Sequence, residues 1–172
     1  EKIYEGYNIL LDIATSCGKT WAVRTITTET ILNEDSTCLF ITPNIEILFE
    51  NYQSLLKSYK KTYYYNTNRI ASVQTLTKNN ASLNKLTCQV LFITADNIIQ
   101  ILSAPNYVDF IKKLKFIIFD EVHLDNMQQA FTKSLILDIN PQFILLSATL
   151  NNPELLYQKL QNITSKRKFH KI

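Results

Sequence analysis

Six short apolar runs punctuate the chain: YNILLDI (7–13), TCLFIT (37–42), IASVQT (70–75), CQVLFIT (88–94), LKFIIFD (114–120) and QFILLSA (142–148). Each is apolar at consecutive positions and not only at alternate ones. Runs of that length without a polar face are expected of strands covered on both sides, as in a parallel sheet between two layers of helices. Segments with helical spacing lie between them. Residues 18–33 follow the first run and read as a helix. In NIEILFENYQSLLKSYKK (44–61), Ile45, Leu48, Phe49, Tyr52, Leu55, Leu56 and Tyr59 recur at steps of three and four, an apolar stripe on one helix face, with Asn44 as N-cap behind Pro43. ADNIIQILSA (95–104) offers Asp96 as a cap and Ile98, Ile99 and Leu102 as an inner face. NMQQAFTKSLILDI (126–139) and NPELLYQKL (152–160) complete the series; Asn152 caps the last, and Pro153 sits in its first turn. The polar stretch 76–87 reads as a loop. Strand and helix alternating in this order predict an α/β domain with a mostly parallel central sheet flanked by helices.

Composition bounds this picture. A chain of 172 residues is long enough for one well-buried core. With 46% hydrophobic and 19% charged residues it belongs with folded globular domains, and 2 glycines and 4 prolines leave little flexible linker. A net charge of +3 permits an anionic partner without demanding one. Cys17, Cys38 and Cys88 are far apart and odd in number, which argues against a disulfide framework or a zinc site and for a reducing, intracellular setting, cytoplasmic or nuclear. The apolar runs, about seven residues long, are far short of the ~20 that a membrane-spanning helix requires, so no membrane partner is expected. The chain opens at Glu1 without an initiator Met, as a domain excised from something longer would. The tail SKRKFHKI (165–172) clusters charge and reads as the start of a linker, giving a domain over 1–165 and a linker over 166–172.

The first run leads into Asp12-Ile13-Ala14-Thr15-Ser16-Cys17-Gly18-Lys19-Thr20. A strand, a tight turn and a helix opening with Lys-Thr form the geometry in which backbone N–H groups and a helix N-terminus face phosphate. Lys19 would supply charge to the β- and γ-phosphates, and the Thr20 hydroxyl would coordinate Mg²⁺. The common phosphate-loop pattern has a further glycine where this chain has Ile13. Taken alone, the triplet could equally be a solvated helix start. The small residues Ala14, Thr15, Ser16 and Cys17 still allow a compact loop.

A second anchor is FIIFDEVH (116–123), an apolar strand ending in two acids. Asp120 stands where ligands bind in open α/β sheets, at the carboxyl end of a strand, and can hold Mg²⁺; Glu121 can orient and deprotonate an attacking water; His123 can hydrogen-bond near the γ-phosphate. In LLSATL (145–150), Ser147 and Thr149 are small hydroxyl residues at another strand end, suited to bonding the acidic loop. The phosphate turn and the acids are expected to meet across neighbouring strand tips.

In this order the three anchors resemble motifs I, II and III of superfamily 2 helicases. The odd loop matches one branch of them, the Ski-family DExH helicases and their antiviral interferon-inducible relatives, which carry Ala-Pro-Thr-Ser-Ser-Gly-Lys-Thr where this chain has Ile13 to Thr20. FITPNIEILFENY (40–52) resembles motif Ia, with Pro43 and Asn44 facing the nucleic-acid backbone. Thr94-Ala95-Asp96 stands where the branch has Thr-Pro-Glu, so Thr94 and Asp96 are the matching nucleic-acid contacts, with the proline lost and the acid shortened. The resemblance covers residues 6 to 160. It implies a three-layer, RecA-like P-loop NTPase domain that binds ATP and Mg²⁺ through residues 15–20 and Asp120. It also implies a nucleic-acid partner, RNA before DNA, and a second RecA-like domain of the same chain that supplies an arginine finger. By itself the domain is expected to bind nucleotide weakly and hydrolyse it very slowly. Two further functions stay open at this level: a helicase-like RNA-binding sensor or scaffold with little catalysis, and a DNA translocase on the same core. The run Tyr63-Tyr64-Tyr65 follows an amphipathic helix and reads as core packing before base stacking.

Overall fold

A computed structural model describes residues 5–12, 18, 20, 21, 23, 25, 36–58, 73–76, 86, 88–134, 141–148, 154, 155, 157, 158 and 169–171. Seven strands form one sheet: β1 (Asn8–Asp12), β2 (Thr37–Thr42), β3 (Val73–Leu76), β4 (Val90–Thr94), β5 (Leu114–Phe119), β6 (Gln142–Ser147) and β7 (Phe169–Lys171). Their order is β3-β4-β2-β5-β6-β1-β7, and every pairing is parallel. The apolar runs of the sequence thus became strands, and β2 fills TCLFIT from end to end.

Side-chain alternation explains why those runs had no polar face. Leu39, Ile41, Leu91, Ile93, Ile117, Phe119 and Leu145 point to one side of the sheet, where they join Ile98, Ile101, Phe110, Met127, Ala130 and Phe131 in one apolar cluster. Their neighbours Cys38, Phe40, Val90, Phe92, Phe116, Ile118, Ile144 and Leu146 form a second cluster on the other side, with Val23, Leu48 and Leu55. A period of two with both faces buried gives a continuous apolar run. The layers over the first face are a 3-10 segment (Ala95–Ser103), α2 (Tyr107–Lys112) and α3 (Asp125–Ser134); α1 (Ile45–Ser58) covers the second. Thr20, Trp21, Val23 and Thr25 are helical, in line with a helix after the phosphate loop.

Asn44 caps α1 as its position implied: its Oδ1 accepts the Ile47 N–H at 2.9 Å. Asn44→Ala should lower stability by ~1 kcal/mol, measured as a shift of the denaturant midpoint with unchanged slope. The buried stripe of α1 differs from the one anticipated. Leu48, Asn51 and Leu55 are inside, whereas Ile45 and Phe49 are 37% and 42% exposed. In 95–104 the apolar inner positions are Ala95, Ile98, Ile101 and Ala104, with Asn97 also buried, while Ile99 is 50% exposed. The segment winds as a 3-10 helix, so its inner face repeats every three residues and not at the α-helical spacing. Its cap position is Thr94, and Asp96 is exposed in the first turn.

Phe169–Lys171, within the tail read as a linker, pairs with Asn8–Leu10. β1 would otherwise be an edge strand with open N–H and C=O groups. Three residues of such pairing are too few to leave a periodic trace in sequence. The expected cap at Asn152–Pro153, the loop 77–85 and Tyr63–Tyr65 lie outside the described residues. Among the described residues no helix is long and apolar enough to cross a membrane.

Candidate nucleotide and metal site

All pairings being parallel, the carboxyl ends of the strands share one edge of the sheet, and the described segments leaving β2, β4, β5 and β6 are gathered there. In open α/β sheets, polar side chains at these strand ends stand where ligands bind. The phosphate loop and the acid loop do not follow adjacent strands, however. β6 lies between β5 and β1, so the two strand tips are about 10 Å apart at ~4.8 Å per strand. The helix beginning at Thr20 closes that gap, and the Thr20 hydroxyl donates to Asp120 Oδ1 at 3.4 Å.

Asp120 is 3% exposed. Its backbone N–H bonds the Ile41 carbonyl at 3.0 Å, and two residues on the Val122 N–H bonds the Leu146 carbonyl at 2.8 Å. The acid loop is therefore held to both flanking strands beyond the end of β5. The Asn51 amide, from α1, donates to Asp120 Oδ2 at 3.4 Å. At the intervening residue, Glu121, φ is +56°. That left-handed conformation costs a residue with a Cβ roughly 1 kcal/mol, and strain of this kind clusters at functional sites. The Glu121 carboxylate lies toward His123: Oε2 is 3.3 Å from Nδ1, without the alignment of a hydrogen bond. The same Nδ1 is 3.3 Å from Ser147 Oγ. Ser147, fully buried at the end of β6, thus approaches the acid loop at His123.

Gly18 has φ +68°, and a Cβ built there would meet nothing within 4 Å. The glycine is required by its backbone conformation; crowding by the protein itself plays no part. Thr15, Ser16, Cys17, Lys19 and Thr149 lie outside the described residues. Along the same edge, the Thr42 hydroxyl bonds the Asn44 carbonyl at 3.2 Å, and Asn126 of α3 donates to the Pro43 carbonyl at 3.1 Å. Thr94 Oγ1 accepts the Asn97 amide at 2.8 Å. Pro43, Asn44, Thr94 and Asp96 therefore share the edge that carries the acids, with Asn44 and Asp96 exposed. Cys38 and Cys88 are buried thiols outside any disulfide. Burial, and then the neighbouring Cys88, push the Cys38 thiol well above its usual range, so it stays neutral and serves packing.

Asn51 and Asn126 went unnoticed in the sequence. Asn51 did leave a signal: it is a polar residue on the Leu48–Leu55 stripe, where an apolar side chain belongs. Asn126 left none, because an asparagine in the first turn of a helix is ordinary.

A hydroxyl and a carboxylate oxygen 3.4 Å apart are hard donors, and Mg²⁺ takes one or two such protein oxygens and completes its shell with phosphate and water. The residues present fit that ion. Parallel topology, a glycine-bearing turn into a helix, and a carboxylate from a third strand meeting that helix define a RecA-like nucleotide-binding domain. The DEAD/DEAH box helicase family matches this chain over residues 1–156, and the chain belongs to that family. Among curated proteins it is 37% identical over 82 residues to a probable ATP-dependent RNA helicase DDX60-like of Homo sapiens, covering 46% of the chain and 5% of that protein. It is 33% identical over 168 residues to an uncharacterized helicase of Dictyostelium discoideum, covering 92% of the chain and 9% of that protein. The chain thus spans less than a tenth of the length of either relative. Of solved structures, the DUF1998 helicase MrfA bound to DNA and AMPPNP superimposes with a TM-score of 0.77 at 17% identity, over 99% of this chain and 25% of that one. The DEAD-box helicase Mss116 bound to ssRNA and UDP-BeF gives 0.75 at 17% identity, over 97% and 36%.

Proposed function

We propose that this chain is the first RecA-like, ATP-binding domain of an ATP-dependent helicase of the DExH (DEVH) type, which hydrolyses ATP with Mg²⁺ to move along or unwind nucleic acid. The observation that carries the reading is the approach of the Thr20 hydroxyl to Asp120 across an intervening strand. A surface helix start and an ordinary Asp-Glu turn would have no reason to converge.

In this reading Thr15 to Thr20 wrap the phosphates, and Lys19 neutralises the β- and γ-oxygens. Mg²⁺, when bound, would polarise the γ-phosphate and offset charge on the bridging oxygen. Thr20 and Asp120 hold it. Glu121 orients the attacking water and takes its proton. His123 lies between Glu121 and Ser147, so the state of the acid loop is communicated to the end of β6; Thr149 would share this coupling role. Pro43, Asn44, Thr94 and Asp96 line the grip on the nucleic-acid backbone, which reads charge and shape more than base identity. The domain runs over 1–165 and the linker to a second RecA-like domain begins near 166, with β7 as a strand that the linker lends to the sheet.

RNA is the proposed substrate. The human relative is a probable RNA helicase, and the DExH motifs point the same way. The test is steady-state ATPase of the full-length protein with Mg²⁺ and either single-stranded RNA or DNA. Hydrolysis is expected to rise about tenfold or more with RNA, while the isolated 172 residues turn over far more slowly, since phosphoryl transfer lacks an arginine worth roughly 10³-fold or more. Stimulation by DNA alone would favour the translocase reading, and nucleotide binding without turnover the scaffold reading.

A further inference from the structure

We propose that Asn51 is a positioning residue for Asp120: its amide selects which carboxylate oxygen faces the metal and ties that carboxylate to helix α1. The proposal rests on the reading of Asp120 as the Mg²⁺ carboxylate.

Three observations carry it. First, the two oxygens of Asp120 are divided between two elements, Oδ1 facing Thr20 and Oδ2 facing Asn51, each at 3.4 Å. Both distances are at the long end for hydrogen bonds, so their worth is directional. Together they favour the carboxylate rotation that presents Oδ1 to the hydroxyl that would share the cation. Second, Asn51 is 8% exposed and Asp120 3%. An amide so placed on the Leu48–Leu55 stripe costs desolvation that leucine would not incur, and the buried carboxylate opposite it accounts for the amide. Third, α1 is joined to the acid segment at a second point. Asn126, six residues after Asp120, donates to the Pro43 carbonyl, and Pro43 precedes the Asn44 cap of α1. The stretch 43–51 is thus bonded to the stretch 120–126 at both ends. A shift of the Pro43–Asn44 loop is carried along a capped two-turn stretch of helix to the Asp120 carboxylate.

The experiment uses the full-length protein with Asn51→Leu, Asn51→Asp and, as a control, Asp120→Asn. The Mg²⁺ concentration for half-maximal ATP hydrolysis is measured at saturating ATP. Mg²⁺-dependent binding of a fluorescent non-hydrolysable ATP analogue and a thermal melt accompany it. Asn51→Leu removes the directing amide and should raise the Mg²⁺ half-saturation about tenfold, with KM for ATP at saturating Mg²⁺ little changed. Asn51→Asp keeps the shape and adds a carboxylate beside Asp120; it should lower the half-saturation several-fold. Displacement in opposite directions is a signature that loss of packing would not produce. If both variants follow the parent while Asp120→Asn loses its Mg²⁺ dependence, Asn51 only packs and the proposal is overturned with the metal reading intact. If Asp120→Asn retains the parent's Mg²⁺ dependence, the metal reading fails and takes the proposal with it. Should Asn51→Leu not fold, the near-isosteric Asn51→Asp decides alone, and an unchanged half-saturation overturns the proposal.

Discussion

With Glu121 replaced by Gln, the full-length protein is expected to bind ATP and hydrolyse it about 10³-fold more slowly, the middle of the range for loss of a general base. The substitution is conservative in every respect but one. Gln has the length of Glu and can take the left-handed backbone at φ +56° as well as Glu does, so the acid loop should keep its bonds to Ile41 and Leu146. What goes is the negative charge beside His123 and the capacity to accept a proton from water. Thr20 and Asp120 are untouched, so a non-hydrolysable analogue should bind with Mg²⁺ about as tightly as to the parent. Single-turnover hydrolysis beside analogue binding separates the two effects. A rate within a few-fold of the parent would remove Glu121 from the chemistry. Glu121→Gly provides a second comparison: it should lose activity equally while relieving the backbone, so its melting temperature should not fall.

The second large effect falls on the core. Phe131, on the inner face of α3, sits between two rings: Phe119 at 5.4 Å and 72°, and Phe143 at 5.2 Å and 71°. Both are edge-to-face pairs, each worth ~0.5–1.5 kcal/mol beyond the area buried. Phe119 ends β5 immediately before Asp120, and Phe143 lies in β6, so this stack attaches α3 to the two strands that carry the acid loop and Ser147. Phe131→Ala removes both contacts and leaves a cavity, which should cost about 3–5 kcal/mol, a large part of the ~5–15 kcal/mol available to a domain. The midpoint of thermal unfolding should fall by roughly 6–20 °C. Phe131→Leu should recover most of the loss. A fall of only a degree or two on Phe131→Ala would mean that α3 is held chiefly elsewhere, the Asn126–Pro43 bond included.

Six of the seven strands of the described residues were legible as apolar runs in the sequence. A parallel strand covered on both faces must be apolar at successive positions, and little else in a charged, glycine-poor chain produces runs such as TCLFIT or LKFIIF. The Asn44 cap was legible because it depends on one side chain and the helix that follows it. Thr20, Asp120, Glu121 and Ser147 were legible as candidates, because phosphate and Mg²⁺ would demand such residue types at strand ends; the structure adds that Thr20 approaches Asp120 and Ser147 approaches His123. The 3-10 winding of 95–103 was not: Ile98, Ile99 and Leu102 fit an α-helical face as well as Ile98 and Ile101 fit a threefold one, and packing under the sheet chose between them. Nor was β7 legible, since its three residues gain their place from the open edge of β1 and not from their own pattern.

The sequence by itself determined the layers of this domain and the residue types that stand at its strand ends, which are the ones proposed to meet a phosphate and a cation. Those follow from burial and from donor chemistry, which each residue brings with it. Only the tertiary structure decided that β6 separates the phosphate loop from the acids, that Glu121 is held left-handed, and that Asn51 reaches Asp120. These depend on the order of strands in the sheet and on the approach of segments 69 and 100 residues apart. Pairings over such separations are selected by the packing of the whole core, and no local pattern records them.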